Sequence, residues 1–518
     1  MSNPTSQLFT GRWMRWAVLG LIGLGFLVRV WGITYGLPYL YHPDEPLGVT
    51  VALNMIKTGD LNPHFFGYGS MFFYLNAAAQ TAYYLAGRLA GAFQTPADIP
   101  NLIKLALGVG QAVQPMQIIA SRLVSILAGV LCIPVAYWLG SRLGGRMVGL
   151  LAAVFIACSP TLVLHSVFIT PNILVTLMVM LTLLALLRLT PASRWPSFVL
   201  AGAALGGAVA SKYNAALLVL PYAIACIFLY GRSTWKKPAV YLGVLAAGLT
   251  FLAVTPYAVL DANKFIADTQ FHMDYYSAAN HPGMEGNTLE FYLTYLLQTQ
   301  GLLAFAGLFM ALPYLTSGNR KGLILAAFAV PYVVYVSSLR IRNDRTILIV
   351  LPVLLIMAAD GAIRLWRWFS TRSGWRRFVG RAALVTSIAI SIGYLGLQTV
   401  ELNVSLTAPD GREYARRWIE ANVSPGMRIA AESYAPFIDP QQYAVSYFNG
   451  LRLNSPEWYV AQGYDLLVFS SGSYQRFYQY PDLYPAEIAQ YDALFARFPV
   501  VAEFDQNGIT IRILKVKS

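Results

Sequence analysis

Two adjacent carboxylates stand just past the first long apolar run of the chain. The run covers residues 16–33, and the acids follow it in the stretch Tyr41-His42-Pro43-Asp44-Glu45-Pro46. A charge close to hydrocarbon is costly, so acidic side chains at this position usually serve a purpose. A carboxylate there can take up a proton or hold a cation. The alternative is a proline-rich loop whose acids are merely solvated.

A second group of charged residues stands at the ends of later apolar segments. Lys212, Arg340, Arg342 and Arg345 follow such segments on the side predicted to carry Asp44. Cations there do not orient the chain, because orienting residues gather on the inner side. A single lysine or arginine can simply extend its charge to the membrane surface. Three arginines within the stretch 340–345 instead predict a shared anionic ligand.

The elements that must position these residues are membrane helices. Of the 518 residues, 57% are hydrophobic and 12% are charged, whereas about 25% charged is usual in soluble domains. Apolar runs of about twenty residues recur, and this length spans the hydrocarbon core of a bilayer. The sequence therefore predicts a mainly α, polytopic membrane protein. The net charge of +13 falls largely in short loops, where it sets orientation, so we predict no nucleic-acid partner.

The distribution of charge predicts an orientation. Arg12 and Arg15 precede the first apolar run, which places the N-terminus in the cytoplasm and Asp44 outside. Arg142 and Arg146 fall on the inner side only if a helix predicted at residues 71–89 stays outside, within a long first outer loop at residues 35–115. The alternation then predicts about eleven spans in the plasma membrane and an extracytoplasmic C-terminus. If the 71–89 helix crosses the membrane, one later segment must not.

Two domains are predicted. Residues 1–400 form the transmembrane domain, and residues 401–518 have the composition of a soluble domain. In the second part, helices are predicted at 412–421, near Glu457 and at 486–498, and strands at 428–432, 465–470 and 509–516. Alternating helices and strands predict a small extracytoplasmic α/β domain.

Several kinds of site lack their usual residues. The chain has three cysteines, Cys132, Cys158 and Cys226. They lie inside apolar runs and show no spacing for a disulfide or a metal site. No glycine-rich nucleotide motif is present, so an ATP-driven transporter is not expected. His272, Asp274 and His281 lie in the predicted outer loop 270–287 without further ligands, so we predict neither a metal nor another cofactor.

Several short motifs resemble one family of membrane enzymes. The pair Asp44-Glu45 is followed by the turn Thr58-Gly59-Asp60. The further motifs are Arg122-Leu123, Tyr137-Trp138-Leu139-Gly140-Ser141-Arg142-Leu143-Gly144-Gly145, Ser159-Pro160, Thr170-Pro171-Asn172, Ser211-Lys212-Tyr213-Asn214 and Thr255-Pro256-Tyr257. Together they resemble the C-type (GT-C) integral-membrane glycosyltransferases, in particular the group with protein O-mannosyltransferases and the lipid A aminoarabinose transferase. The resemblance covers the chain to about residue 365, and residues 415–426 resemble the opening of the outer domain in bacterial relatives.

The resemblance implies an inverting sugar transfer at the outer face of the membrane. A sugar on a polyprenyl monophosphate would pass to an acceptor hydroxyl, which requires a base on the face opposite the leaving group. The departing phosphate needs no general acid, but it needs positive charge to bind it and to stabilise the charge it gains. Asp44 is the expected base, and the positive charge would come from Arg345, Lys212 and Arg342. Glu45, the second expected catalytic residue, either holds a cation, orients Asp44 or is solvated.

The other residues implied by the resemblance would line the substrate site. They are His42, Tyr68, His165, Asn172 and Tyr257. Such histidines are otherwise structural, and an aromatic ring at the membrane interface is often only part of an aromatic belt. The sequence departs from the family at two places. Asn172 stands where an aspartate is usual, and Gly67-Tyr68-Gly69-Ser70 stands where many bacterial members carry Lys-Pro-Pro, which removes a cation.

Two other functions fit parts of the sequence. A transporter of polyprenyl lipids or sugars also has many spans, but its charges would lie near the bilayer midplane and in related halves. A non-catalytic relative that only binds substrate is suggested by Asn172 and the missing lysine. The outer loop at residues 270–287 is expected to cover the site or to contact the acceptor. The sugar and the acceptor, whether protein, lipid or glycan, are not predicted.

Overall fold

Helices dominate the computed structural model, which describes residues 12–278 and 281–516. The helices before the C-terminal domain are α1 (Arg12–Trp31), α2 (Glu45–Thr58), α3 (Ser70–Leu89), α4 (Pro115–Gly144), α5 (Arg146–Cys158), α6 (Pro160–Val167), α7 (Asn172–Arg188), α8 (Trp195–Ser211), α9 (Val219–Tyr230), α10 (Pro238–Val254), α11 (Tyr257–Leu260), α12 (Ala262–Ala278), α13 (Thr288–Gln300), α14 (Leu303–Phe309), α15 (Ala311–Thr316), α16 (Arg320–Ser337), α17 (Asp344–Ile347), α18 (Leu351–Ser370) and α19 (Gly374–Thr407). The side chain of Arg12, used above for orientation, lies outside the described part, as do residues 279 and 280 of the predicted outer loop.

Five described helices are long and apolar enough to cross a membrane. They are Trp13–Trp31, Pro115–Gly144, Tyr213–Lys236, Arg320–Ser337 and Gly374–Asn422. The pair α5 and α6, bent by 56° at its break, makes a sixth if it forms one span. The shorter apolar helices are Asn172–Arg188, Trp195–Ser211, Pro238–Val254 and Leu303–Thr316. The chain is therefore an integral membrane protein, while the count of about eleven spans and the orientation stay predictions.

Small residues allow the membrane helices to approach closely. A Cβ atom on Gly202 of α8 would lie 1.8 Å from the carbonyl oxygen of Gly243 on α10. A Cβ atom on Gly206 would lie 2.2 Å from the carbonyl oxygen of Ala247. In lipid, where hydrophobic burial does not drive association, such small residues let helix backbones pack. This contact fixes the end of α8, and Lys212 is the next residue.

Three predicted segments differ in the structure. The alternation of spans predicts an outer loop at residues 159–171, but this stretch contains α6, which starts at Pro160 because proline suits the first helical turn. The alternation of spans predicts a polar outer loop at residues 261–287, which includes the stretch 270–287 named above. This loop contains α12, which buries no side chain and so lacks the apolar stripe that signals a helix. The apolar residues 291–315 predict one of the roughly eleven spans, but the structure breaks this stretch into α13, α14 and α15, with Gly301 at a φ of 59° after α13.

In the first outer segment, Asp44 lies immediately before a helix. Only turns were predicted here, but α2 starts at Glu45 and ends at Gly59, which has a φ of 75°. The helix predicted at residues 71–89 is present as α3. The two helices pack through a buried cluster that includes Val49, Ala52, Leu53, Phe72 and Phe73. Because this packing fixes α2, it also fixes the position of Asp44. A hairpin of β1 (Ile103–Ala106) and β2 (Val109–Gln111) follows.

The C-terminal part is a small α/β domain. Its elements are α20 (Gly411–Asn422), β3 (Arg428–Glu432), β4 (Ala444–Phe448), α21 (Pro456–Ala461), β5 (Leu466–Ser470), α22 (Ser471–Tyr478), α23 (Pro485–Arg497), β6 (Val500–Gln506) and β7 (Ile509–Lys515). The strand order is β4-β3-β5-β7-β6, with β4, β3 and β5 parallel and the other two antiparallel. The strands predicted at 428–432, 465–470 and 509–516 are β3, β5 and β7. The edge strands β4 and β6 were missed because neither has a fully buried residue to mark it.

The α/β domain is attached to the first outer segment. The guanidinium of Arg412 on α20 stacks 4.0 Å from the ring of Tyr41 and donates to the carbonyl oxygen of Tyr41 at 3.3 Å. The backbone N–H of Tyr434 donates to the carbonyl oxygen of Leu107, between β1 and β2, at 2.8 Å. The chain just before Asp44 is therefore held by both parts of the protein.

Candidate functional site

An ion pair between Asp44 and Arg345 joins the first outer segment to the connection between α16 and α18. A guanidinium nitrogen of Arg345 donates to an Oδ atom of Asp44, across 301 residues of chain. The side chain of Asp44 remains 22% exposed and that of Arg345 30% exposed, so a substrate can reach both. The structure thus brings together the predicted base and one predicted phosphate ligand.

A short helix aims Arg345 at Asp44. Asn343 precedes α17, and its side-chain oxygen accepts the backbone N–H of Thr346 at 3.1 Å. Asparagine is among the preferred residues at this capping position because its side chain satisfies a free N–H of the first turn. The carboxylate of Asp344 accepts the backbone N–H of Arg345 at 2.7 Å. The residues from Ile347 onward are buried, which anchors the turn in the core.

Glu45 does not face the site, and its prediction as a second catalytic carboxylate needs correction. The guanidinium of Arg122 donates to both of its oxygens, at 2.8 and 2.7 Å, and the two side chains are 0% and 1% exposed. The backbone N–H of Ile169 donates to the same carboxylate at 3.2 Å. Because both oxygens are occupied and buried, Glu45 holds a cation, one of the roles that the sequence left open. It fixes the start of α2 next to Asp44.

Lys212 lies beside Asn172, within the field of the ion pair. The Nζ of Lys212 donates to Oδ1 of Asn172 at 2.9 Å, and the amide of Asn172 donates to Thr170 at 3.2 Å. Burial, and then the positive charge of Arg345, lower the pKa of Lys212 to about 7, while Asp44 acts in the opposite direction. Two of the predicted phosphate ligands are therefore near each other, and one of them titrates near neutral pH.

The side chains of Asp344 and His165 lie next to each other beside the backbone of Arg345. The Nε2 of His165 and an Oδ of Asp344 are 3.2 Å apart, without the alignment of a hydrogen bond. Burial acts to raise the pKa of Asp344, but the neighbouring imidazole of His165, the bond from the Arg345 backbone and the positive charge of Arg345 bring it down to about 2. Sequence analysis missed Asp344, although an acid among three arginines was a visible signal. His165 is positioned by this acid.

Aromatic side chains surround the Asp44–Arg345 pair. The phenol of Tyr68 lies against the Asp44 carboxylate, so burial and this negative charge raise the pKa of Tyr68. The ring of His42 stacks on Phe168 with centroids 4.2 Å apart, and its Nδ1 accepts the backbone N–H of Asp44 at 3.3 Å. Burial lowers the pKa of His42. His42 and Tyr68 thus both lie beside Asp44, while their part in binding a substrate stays a prediction.

Tyr276 was not among the residues predicted to line the site. It lies on α12, and its phenol is close to the guanidinium of Arg345. It belongs to the outer loop 270–287 that was expected to cover the site or to contact the acceptor, but α12 was not predicted as a helix, so its neighbours could not be named.

Two other predicted site residues, Arg342 and Tyr257, have other neighbours in the structure. The guanidinium of Arg342 donates to the carbonyl oxygens of Glu285 and Asn287 and, at 2.9 Å, to the hydroxyl of Tyr480 in the C-terminal domain. Arg342 therefore links the outer loop, at residues 285–287, to the C-terminal domain. Its guanidinium does not contact Asp44, which corrects its prediction as a phosphate ligand. Tyr257 begins α11 and lies beside Tyr74, and its place in the substrate site stays a prediction.

We expect the affinity for a phosphate-bearing lipid to fall as pH rises above about 7, because Lys212 then loses its proton. A bound phosphate favours the charged amine, so the loss approaches about tenfold per pH unit until the raised pKa of the bound state is reached. Replacing Lys212 by methionine should give weak affinity at every pH and remove most of this slope. The check is the Kd of a polyprenyl phosphate measured between about pH 6 and about pH 9. A wild-type slope in the Lys212→Met protein would contradict the assignment.

Within the described residues, no three or more His, Cys, Asp or Glu side chains lie together in a way that could hold a metal ion. The cysteines predicted to be unpaired, Cys132, Cys158 and Cys226, are free thiols.

Part of this chain matches a known protein family, and nearly all of it matches solved structures. A model of the dolichyl-phosphate-mannose-protein mannosyltransferase family matches residues 99–257, a stretch that includes Arg122, Asn172 and Lys212 and ends before Arg345. No protein of curated function matches the chain by sequence. The remaining comparisons are with solved structures.

Solved membrane proteins match nearly the whole chain. ArnT from Cupriavidus metallidurans bound to undecaprenyl phosphate is 15% identical with a TM-score of 0.53, over 96% of this chain and 97% of that one. The Archaeoglobus fulgidus oligosaccharyltransferase tethered to an acceptor peptide is 12% identical with a TM-score of 0.56, over 92% of this chain and 72% of that one. The chain has the C-type glycosyltransferase fold. This confirms the resemblance drawn from the motifs.

The C-type fold also appears in a third match, the archaeal oligosaccharyltransferase AglB from Archaeoglobus fulgidus in complex with an inhibitory peptide and a dolichol-phosphate. It is 13% identical with a TM-score of 0.52, over 90% of this chain and 71% of that one. At such identities the likeness shows the fold, and activity has to be argued from the side chains of this chain.

Proposed function

We propose that the protein is an inverting glycosyltransferase that moves a sugar from a polyprenyl-phosphate carrier to an acceptor hydroxyl at the outer face of the membrane. The observation that carries the proposal is the solvent-reachable ion pair of Asp44 and Arg345, with Lys212 close by. One carboxylate and two cations are the groups that such a transfer requires. The C-type fold adds a framework in which other chains hold polyprenyl phosphates.

Arg345 and Lys212 bind the donor phosphate in this proposal. Cationic groups make shorter and stronger hydrogen bonds to phosphate than neutral donors do, and an arginine can engage two phosphate oxygens at once. In the structure the guanidinium of Arg345 pairs with Asp44. An arriving phosphate competes for that guanidinium, so donor binding loosens the ion pair and frees the carboxylate of Asp44 to act as a base.

Asp44 then accepts the proton of the acceptor hydroxyl. The hydroxyl oxygen attacks the anomeric carbon from the face opposite the phosphate, and the bond between that carbon and the phosphate oxygen breaks with its electron pair remaining on the phosphate. Attack from the opposite face inverts the anomeric configuration. The products are the glycosylated acceptor and the polyprenyl phosphate, whose added charge Arg345 and Lys212 stabilise.

Contacts within the chain support the proposed topology. The site and the α/β domain belong to one side of the membrane in the prediction, and Arg412 of that domain contacts Tyr41, three residues before Asp44. A domain on the opposite side would be separated from Tyr41 by the bilayer. We therefore propose a cytoplasmic N-terminus, with the site and the C-terminal domain outside. The sugar, a hexose or a pentose, and the acceptor are to be identified by assay.

Replacing Arg345 by alanine should lower the affinity for undecaprenyl phosphate by about 10- to 100-fold, the range for loss of a hydrogen bond to a charged group. It should also abolish sugar release from the donor that the wild type accepts. The measurements are lipid binding and sugar release by purified protein, with a panel of polyprenyl-phosphate sugars. Arg342→Ala is the matched control, because Arg342 lies three residues away but contacts the C-terminal domain. It should bind undecaprenyl phosphate as the wild type does.

Each result of this experiment separates the candidate functions. Turnover by the wild type that is lost in Arg345→Ala supports the transferase. Binding of undecaprenyl phosphate without turnover by any donor or acceptor supports a non-catalytic relative. If neither variant nor wild type binds the lipid, the phosphate site is wrong and a transporter becomes the better hypothesis.

A further inference from the structure

The imidazole of His272 lies directly over the backbone of Gly67. A Cβ atom built on Gly67 would be 1.9 Å from Nε2 of His272 and 2.5 Å from its Cδ2, so no side chain fits at residue 67 while the ring is in place. The next residue, Tyr68, reaches the Asp44 carboxylate with its phenol. The ring of His272 is thus one residue away from a wall of the proposed site.

Several contacts hold α12 against this stretch of the first outer segment. An Oδ of Asp268 accepts the backbone N–H of Phe66 at 2.9 Å, and the side chain of Asn62 donates to Asp261 at 2.9 Å. The ring of Phe65 meets the ring of His272 edge to face, with centroids 5.7 Å apart. The position of His272 is therefore set by bonds one turn away on its own helix and by packing against its ring.

The charges around His272 are those of the proposed phosphate site. Arg345 and Lys212 approach it from other elements, and Asp268 is the acid on its own helix. Burial lowers the pKa of His272, Asp268 acts to raise it, and the two cations lower it further. A cation beside two other cations is unfavourable by itself, but a phosphate placed among the three reverses the balance, because it favours the charged form of each.

We propose that His272 adds a third positive charge to the phosphate site formed by Arg345 and Lys212, and that Gly67 is required because its missing side chain makes room for the ring. This inference rests on the proposed function of the same site. Binding of the lipid phosphate is then accompanied by proton uptake at His272, so the site binds phosphate more tightly in mildly acidic conditions than Arg345 and Lys212 alone would allow.

The test compares the Kd of undecaprenyl phosphate for wild type, His272→Gln and Gly67→Ala between about pH 5.5 and about pH 8. Glutamine keeps a polar group of similar reach but takes up no proton. At about pH 5.5 both variants should bind about tenfold more weakly than the wild type, and near pH 8 the difference should disappear, because one linked proton changes affinity by about tenfold per pH unit. Binding of the uncharged polyprenol should be the same in all three proteins.

His281→Gln is the matched control, because His281 belongs to the same outer segment but faces Arg476 of the C-terminal domain. It should keep the wild-type pH profile. If His272→Gln also keeps that profile while Arg345→Ala still loses binding, His272 is a packing residue and the inference is wrong, although the proposed function stands. If the wild type binds no undecaprenyl phosphate, both are wrong. An equal loss of affinity at every pH would assign His272 to structure and likewise overturn the proposal.

Discussion

Asp44→Asn should reduce sugar transfer by about a thousandfold and leave donor binding intact. A positioned general base contributes about 10²–10⁴ to the rate, and asparagine keeps the shape of the side chain but cannot take up the acceptor proton. Because Arg345 no longer pairs with a carboxylate in this variant, undecaprenyl phosphate should bind at least as tightly as in the wild type. The measurements are sugar transfer or slow donor hydrolysis, and lipid binding, on the same preparation.

The control for this experiment is Asp274→Asn, which changes an exposed carboxylate on α12. It should transfer sugar at the wild-type rate. If Asp44→Asn retains transfer within a few-fold of the wild type, the base lies elsewhere and the role proposed for Asp44 is wrong. If it instead loses both transfer and lipid binding, Asp44 is needed to keep Arg345 in place, and the division of roles between the two residues must be abandoned.

Arg122→Ala should lower the free energy of unfolding by about 3–5 kcal/mol. Removal of one partner of a buried ion pair leaves the other charge uncompensated, and such losses are among the largest seen for single substitutions. Glu45, fully buried, would keep only the backbone N–H of Ile169 as a donor. The expected result is a clear fall in the thermal unfolding midpoint in one defined detergent.

An exposed ion pair provides the comparison. Arg417 pairs with Glu413 on the surface of α20, with 61% of its side chain exposed, so Arg417→Ala should cost less than about 1 kcal/mol. The double variant Glu45→Leu with Arg122→Met should be more stable than Arg122→Ala, because no buried charge remains unpaired. An Arg122→Ala protein as stable as the Arg417→Ala protein would show that water reaches Glu45 and that the pair does not fix α2.

Charges in unfavourable places made part of the site predictable. Asp44 close to an apolar run, and Lys212 and Arg345 at the ends of spans, each break a local rule of membrane sequences. In the structure they lie together. The membrane helices were also predictable, but for a different reason: a long apolar run has few alternatives to a helix that crosses the membrane. In the C-terminal domain, β3 and β5 were found because all or nearly all of their residues are buried and most of them are apolar.

What the sequence did not reveal depends on contacts across the fold. Glu45 was assigned with Asp44 because the two are adjacent, but the first residues of a helix point in different directions, and Arg122 lies 77 residues away. Arg342 was grouped with Arg345 on spacing alone, although the α16–α18 connection turns it toward the C-terminal domain. α12 has no buried side chain, so its periodicity carries no signal. The outer loop 270–287 was expected to cover the site or to contact the acceptor, but the sequence did not indicate that Tyr276 and His272 are the residues of this loop that approach Arg345.

The contact of Arg412 with Tyr41 bears on how this protein can be altered by recombination. The C-terminal domain cannot be exchanged on its own, because it contacts the first outer segment at two places. Arg412 of its first helix donates to the carbonyl oxygen of Tyr41, and the backbone N–H of Tyr434 donates to the carbonyl oxygen of Leu107 in the β1–β2 hairpin. A hybrid that takes this domain from a relative must also take residues 35–41 and 103–111 from the same source. In a lineage, the membrane part and the outer domain are thus expected to have been inherited together.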